Sequence, residues 1–146
     1  MRTSFVAGSL LLTSLALAAC RTAEGDPIPR SLPGVYEYDA EGRAFGHPWE
    51  FHVALELRRD GRYEMITEAN IDGDRDRDVD SGRYMVRDGV VFLSKNGAER
   101  VNPDDAHQLD IRGDSLRADM PWIANAALRL AGASKPILVR RDRIGD

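Results

Sequence analysis

Trp49-Glu50-Phe51-His52-Val53-Ala54-Leu55-Glu56-Leu57 is followed, across Arg58-Arg59-Asp60-Gly61, by Arg62-Tyr63-Glu64-Met65-Ile66-Thr67-Glu68-Ala69, and the way these runs pair decides the fold. In the first run every odd position is apolar, while Glu50, His52, Glu56 and Arg58 are polar. That is the period of a strand with one face buried. A two-residue loop between the runs sets Leu57 opposite Glu64. A three-residue loop with Gly61 in the left-handed region sets Leu57 opposite Tyr63, Leu55 opposite Met65 and Val53 opposite Thr67, which keeps one face apolar. The second register is the one expected.

Working outward, Arg87-Asp88-Gly89 repeats the tripeptide Arg59-Asp60-Gly61. The same loop there pairs Val86 with Val90 and Tyr84 with Phe92. Gly113-Asp114 suits a two-residue turn with glycine first, which pairs Ile111 with Leu116 and Leu109 with Ala118. Further strands are predicted at Val35 to Tyr38, around Glu99 to Val101, and at Ile137 to Arg141. The expected class is therefore all-β and mainly antiparallel, a small up-and-down barrel of about eight strands. One short helix is predicted near the C-terminus, from Pro121 to Leu130. Asp119 caps it, Gly132 ends it, and Trp122, Ile123, Ala126, Ala127 and Leu130 form its apolar face.

The N-terminus has a different grammar. Arg2 is followed by an uncharged apolar run from Phe5 to Leu17 and then by small residues, the order of an export signal and too short to span a bilayer. Leu17-Ala18-Ala19-Cys20 resembles the lipobox of bacterial lipoproteins. The resemblance implies that residues 1–19 are a signal peptide, and that Cys20 carries diacylglycerol on its sulfur and usually a further acyl chain on its amine. Two or more chains make release slow. Arg21 stands where an aspartate signals retention at the inner membrane, which implies an outer-membrane anchor facing the periplasm. Residues 20–33, with three prolines and no apolar period, read as the lipidated cysteine and a flexible tether, and residues 34–146 as the barrel domain.

Leu32-Pro33-Gly34-Val35-Tyr36, then Leu57 with Asp60-Gly61 and Tyr63, then Gly82-Arg83-Tyr84 with Val90 to Leu93 resemble the lipocalin-like barrel domains of bacterial lipoproteins. The resemblance implies the barrel fold and a cup able to hold an apolar molecule. The chain lacks the paired cysteines found in a copper-stress member of that family, so metal or redox sensing is not implied. Tyr36, Trp49, Phe51, Tyr63, Tyr84 and Phe92 are the ligand-contact candidates for a hollow barrel. If the barrel is filled, the same residues are its core.

Charge and cysteine content narrow the function classes. Cleavage before Cys20 leaves 127 of the 146 residues, one domain's worth. It leaves 19 of the 20 basic residues against 24 acidic ones, a net charge of -5, and no basic stripe interleaved with aromatics, so no nucleic-acid partner is expected. The single cysteine belongs to the lipobox, leaving no thiol for chemistry or a disulfide. No serine occupies a glycine-flanked elbow, and no catalytic residue or cofactor is expected. Asp72, Asp74, Asp76, Asp78 and Asp80 alternate along the chain. The first three are the best calcium candidates, yet Arg77 and Arg83 stand where an EF-hand loop needs glycine and glutamate. A solvated loop from Asn70 to Asp80 with internal Asp/Arg pairing is the plainer reading. His47, His52 and His107 lack cysteine neighbours for a zinc site. The expectation is a non-catalytic, membrane-anchored binding module for a small apolar or lipid-like ligand. The alternative is a protein-interaction or inhibitor module in envelope maintenance or stress response.

Overall fold

The computed structural model describes residues 25–118 and 136–141. The signal peptide expected at residues 1–19, Cys20 and the helix expected from Pro121 to Leu130 lie outside the described residues. Eight strands, β1 (Gly34–Ala44), β2 (His47–Leu57), β3 (Arg62–Ile71), β4 (Asp74–Arg87), β5 (Val90–Leu93), β6 (His107–Arg112), β7 (Ser115–Ala118) and β8 (Ile137–Arg141), follow one another round a closed antiparallel barrel in which β8 returns to β1.

The deciding hairpin has the expected register. Leu57 pairs with Tyr63, Leu55 with Met65 and Val53 with Thr67, and Gly61 holds φ +78°, a backbone conformation open to glycine without a Cβ clash. The β6–β7 hairpin is also as expected, with Ile111 opposite Leu116 and Leu109 opposite Ala118. The β4–β5 hairpin is not. Asp88 (φ 54°) and Gly89 (φ 76°) form a two-residue turn, so Arg87 meets Val90, Val86 meets Val91 and Tyr84 meets Leu93. Val90-Val91-Phe92-Leu93 is apolar at every position, so the period could not choose a register, and an Asp-Gly turn that matches strand twist did. Phe92 consequently lies on the face opposite Val91 and Leu93.

Three other expectations change. No strand forms around Glu99 to Val101. A 3-10 turn at Pro103–Asp105 follows instead, with the Asn102 side chain accepting a hydrogen bond from Asp104 N, because proline has no N–H to give a ladder. The stretch from Asn70 to Asp80 is not a loop. β3 runs to Ile71, Asp72 (φ 54°) and Gly73 (φ 94°) turn the chain, and β4 begins at Asp74. Residues 25–33 are no free tether. Asp26 bridges to Val86, Ile28 packs against the core, Leu32 is buried, and the segment crosses the base of the barrel as a strap.

Strand lengths divide the molecule. β5 to β8 have four to six residues, whereas β1 to β4 have ten to fourteen. The base is closed on all sides and filled by Val53, Leu55, Leu57, Val91, Leu93, Leu109, Leu116 and Leu138, each at most 2% exposed. Beyond it, among the described residues, β1 to β4 continue alone as a four-stranded sheet. There β1 pairs with β8 only at residues 35 to 37, and β4 pairs with β5 only from Tyr84. Among the described residues the far halves of β1 and β4 are therefore sheet edges. Aspartates and arginines alternating along β4 guard one of them, since charge on an edge deters pairing with another chain.

Candidate functional site

The alternation of β1 to β4 sends Tyr36, Trp49, Phe51, Tyr63 and Tyr84 inward, and all five are buried. Their hydroxyls are already engaged. Tyr36 donates to Leu32 O at 2.7 Å, Tyr84 to Arg58 O at 2.7 Å, and Tyr63 to Ser94 O at 2.5 Å and Asp80 Oδ2 at 3.0 Å. Each bond ties a wall of the barrel to a turn, a loop or the strap, so these tyrosines act as staples. Burial pushes the Tyr84 hydroxyl up to about 12. Burial, reinforced by the Asp80 carboxylate, raises Tyr63 as well. Neither is poised to give up a proton at neutral pH. Phe92 is set apart from these five. It is buried outside the core cluster, with the Arg87 guanidinium 5.5 Å from its ring centre. Trp49 lies over Gly42, where a Cβ would come within 2.5 Å of the ring, and its Nε1 has no hydrogen-bond partner among the described residues.

The carboxylate run behaves as a strand. Asp74, Asp76, Asp78 and Asp80 share the inward side of β4, in register with Ile71, Ala69, Thr67 and Met65. Asp72 stands in the turn, its Oδ2 2.8 Å from His47 Nδ1. Among the described residues no three carboxylate or imidazole groups converge as a cation requires. A polar recess of about 510 Å³ opens beside Asp78, Asp80, Asn96 and His107. Burial, assisted by Lys95, lowers the pKa of His107 below its usual 6.5, against the pull of Asp80 and Asp105.

A further recess lies on the outside. Strand register aligns Asp39, His52, Glu68 and Arg77 in one row across four strands, and Glu41, Glu50, Asn70 and Arg75 in a second. Between the rows lies a trough of about 620 Å³ floored by Ala40, Phe51, Ala69 and Asp76. At strand spacing it extends about 15 Å across the sheet. Its β1–β2 end is carboxylate-rich, and its β4 end carries both arginines. Neighbours in each row are paired: His52 Nδ1 lies 2.6 Å from Asp39 Oδ1, Arg77 Nε donates to Glu68 at 3.1 Å and Asn70 Nδ2 to Glu50 at 3.1 Å. Asn70 Oδ1 has no partner among the described residues. Sequence reasoning placed Glu50 and His52 on the polar face but did not assemble the rows. The signal was the polar alternation in β2 and β3, which becomes a surface only once the register of all four strands is known. Comparison with family models, with curated proteins and with solved structures gives no match to this chain.

Proposed function

We propose that the chain is a lipoprotein of the outer membrane, anchored through Cys20 and facing the periplasm, whose barrel is a non-catalytic interaction module. It engages an extended polar segment of an envelope protein along the outer trough. One observation carries this reading: the aromatic candidates are packed and their tyrosine hydroxyls satisfied by the protein itself, whereas the outer wall holds a continuous trough with acid at one end and guanidinium at the other. Charged rows of this kind favour specificity and encounter rate in protein association.

The apolar-ligand reading has one observation in its favour, the Nε1 of buried Trp49, which has no partner among the described residues and is a donor that a ligand oxygen would satisfy. Native mass spectrometry of residues 21–146, expressed in the bacterial periplasm and purified without detergent, separates the two. A bare mass, together with a specific protein crosslink from a photoreactive residue at Glu41, supports the interaction module. A reproducible small adduct that leaves on denaturation, with no crosslink, supports the ligand carrier and overturns the trough. The anchor has its own test: Cys20→Ser should release the protein from membranes, and unchanged membrane retention refutes lipidation.

A further inference from the structure

Among the described residues the overhang has two sheet edges, and only that of β4 is guarded by alternating charges. The far half of β1, Asp39-Ala40-Glu41-Gly42-Arg43-Ala44, turns the small residues Ala40, Gly42 and Ala44 inward. An unguarded edge is a template for a further strand. The main chain of this edge is directed outward at fixed positions. Arg140 N donates to Asp114 O at 3.1 Å and Ala118 N to Pro136 O at 3.0 Å, so the even residues of β8 face β7, and the odd ones, Val139 and Arg141, face β1. Their partners there are Glu37 and Val35. Main-chain groups alternate sides along an antiparallel strand, so Asp39, Glu41 and Arg43 present both N–H and C=O to the open edge. The two-residue turn at Phe45-Gly46 agrees, since it closes on Ala44 and His47 as a bonded pair.

If the incoming strand is another β1, odd residues must oppose odd ones, and the charges choose the register. A two-fold axis at Ala40 sets Asp39 against Glu41. An axis at Glu41 sets that residue against itself, and one at Arg43 does the same for the arginine. An axis at Gly42 sets Glu41 against the partner's Arg43 twice over and leaves no like charges face to face. Glu41 and Arg43 are both exposed and form no ion pair among the described residues, and Glu41 faces Glu50 within its own sheet. The same register brings the partner's Phe45 opposite Asp39, beside the start of β8. There Ile137 and Val139 are 49% and 58% exposed, and Phe45 itself is 87% exposed. Three of the five large apolar side chains exposed among the described residues therefore meet at one contact.

We propose that two copies of this chain associate through their β1 edges, antiparallel about a two-fold axis at Gly42, so that the overhanging sheets join into one. Main-chain bonds exchanged between Glu41 and the partner's Arg43 hold the strands, opposite charges fix the register, and Phe45 packs on Ile137 and Val139 of the other copy. The contact is short, which places it among weak interfaces, under roughly 1,200 Å². It requires neither the lipid anchor nor an occupant of the trough. It does supply a guanidinium to the carboxylate-rich end of the trough, where Glu41 and Glu50 face each other.

The test uses residues 21–146, which contain every strand of the closed barrel, from micromolar to millimolar concentration. Sedimentation equilibrium should show a monomer that dimerises as concentration rises. Hydrogen exchange should show the amides of Asp39, Glu41 and Arg43 protected only in the concentrated sample. Glu41→Arg turns two attractive cross-strand pairs into two repulsive ones and should weaken association by roughly tenfold, and Arg43→Glu should do the same. Mixed together, the two variants should form a heterodimer, because every opposed pair is then of opposite charge. Each variant should unfold thermally like the parent in dilute solution. A monomer throughout the range, association that ignores both reversals, or no pairing on mixing overturns the proposal. Amides protected at every concentration overturn it as well, because the edge is then covered from within the chain. In the crosslinking experiment, capture of a second copy at Glu41 counts for this contact and not for the trough.

Discussion

The base of the barrel and its overhanging end share four strands, β1 to β4, yet they solve opposite problems. At the base each strand has neighbours on both sides, apolar side chains meet across the interior, and tyrosines bond to backbone carbonyls of Leu32, Arg58 and Ser94. At the overhang β1 and β4 are edges among the described residues, and the inward side of β4 changes from Tyr84 and Val86 to a ladder of aspartates. The lesson is that strand alternation sets only which residues share a side. Whether that side is core or surface depends on how many strands close around it.

The strongest way to break this contrast is to empty the base. Leu55→Ala should cost about 2–5 kcal/mol by urea unfolding, the range for a buried leucine; a loss below about 1 kcal/mol would mean that the base is not packed as described. Tyr84→Phe removes the staple to Arg58 O and should cost about 1 kcal/mol, without the change in cooperativity that opening the base would bring. At the overhang, effects should shrink or reverse. Phe45 is 87% exposed at φ 55° in the β1–β2 turn, a conformation that a bulky side chain disfavours and asparagine tolerates. Phe45→Asn should therefore stabilise by about 0.5–1 kcal/mol. Glu68→Ala in the trough should change stability by less than about 0.5 kcal/mol, because exposed ion pairs contribute little, while weakening any partner crosslink. The smallest effect belongs to His107. Its folded pKa lies below 6.5, so below pH 6.5 the unfolded chain binds more protons than the folded one, and stability falls as pH drops from 6.5 toward the folded value. His107→Gln should remove that part of the acid sensitivity, read as a flatter dependence of melting temperature on pH than in the parent.

How far the chain could be read in advance is clearest from its repeated tripeptide. Arg59-Asp60-Gly61 and Arg87-Asp88-Gly89 are identical in sequence, but the first makes a three-residue loop and the second a two-residue turn. In the first, the strict alternation of β2 penalises any slip by exposing Leu55 and Leu57, so pattern and turn agree. In the second, β5 is apolar on both sides and the pattern is silent. A three-residue loop there sends Phe92 inward with the other aromatics, whereas the two-residue turn puts it on the opposite face of the strand, buried beside Arg87. The strap was illegible for a related reason: a proline-rich segment has no period, and its role rests on two apolar side chains, Ile28 and Leu32, meeting a base that exists only after the barrel closes.

The sequence by itself determined the all-β class, the deciding hairpin with its inside and outside, and the glycine turn at Gly113-Asp114, because period and turn chemistry are local properties. The tertiary structure alone decided that β4 is one long strand with a carboxylate ladder, that the tyrosine hydroxyls are spoken for, and that two rows of polar side chains form a trough. Each of these depends on register between strands far apart in the chain, and register is settled only when the barrel closes.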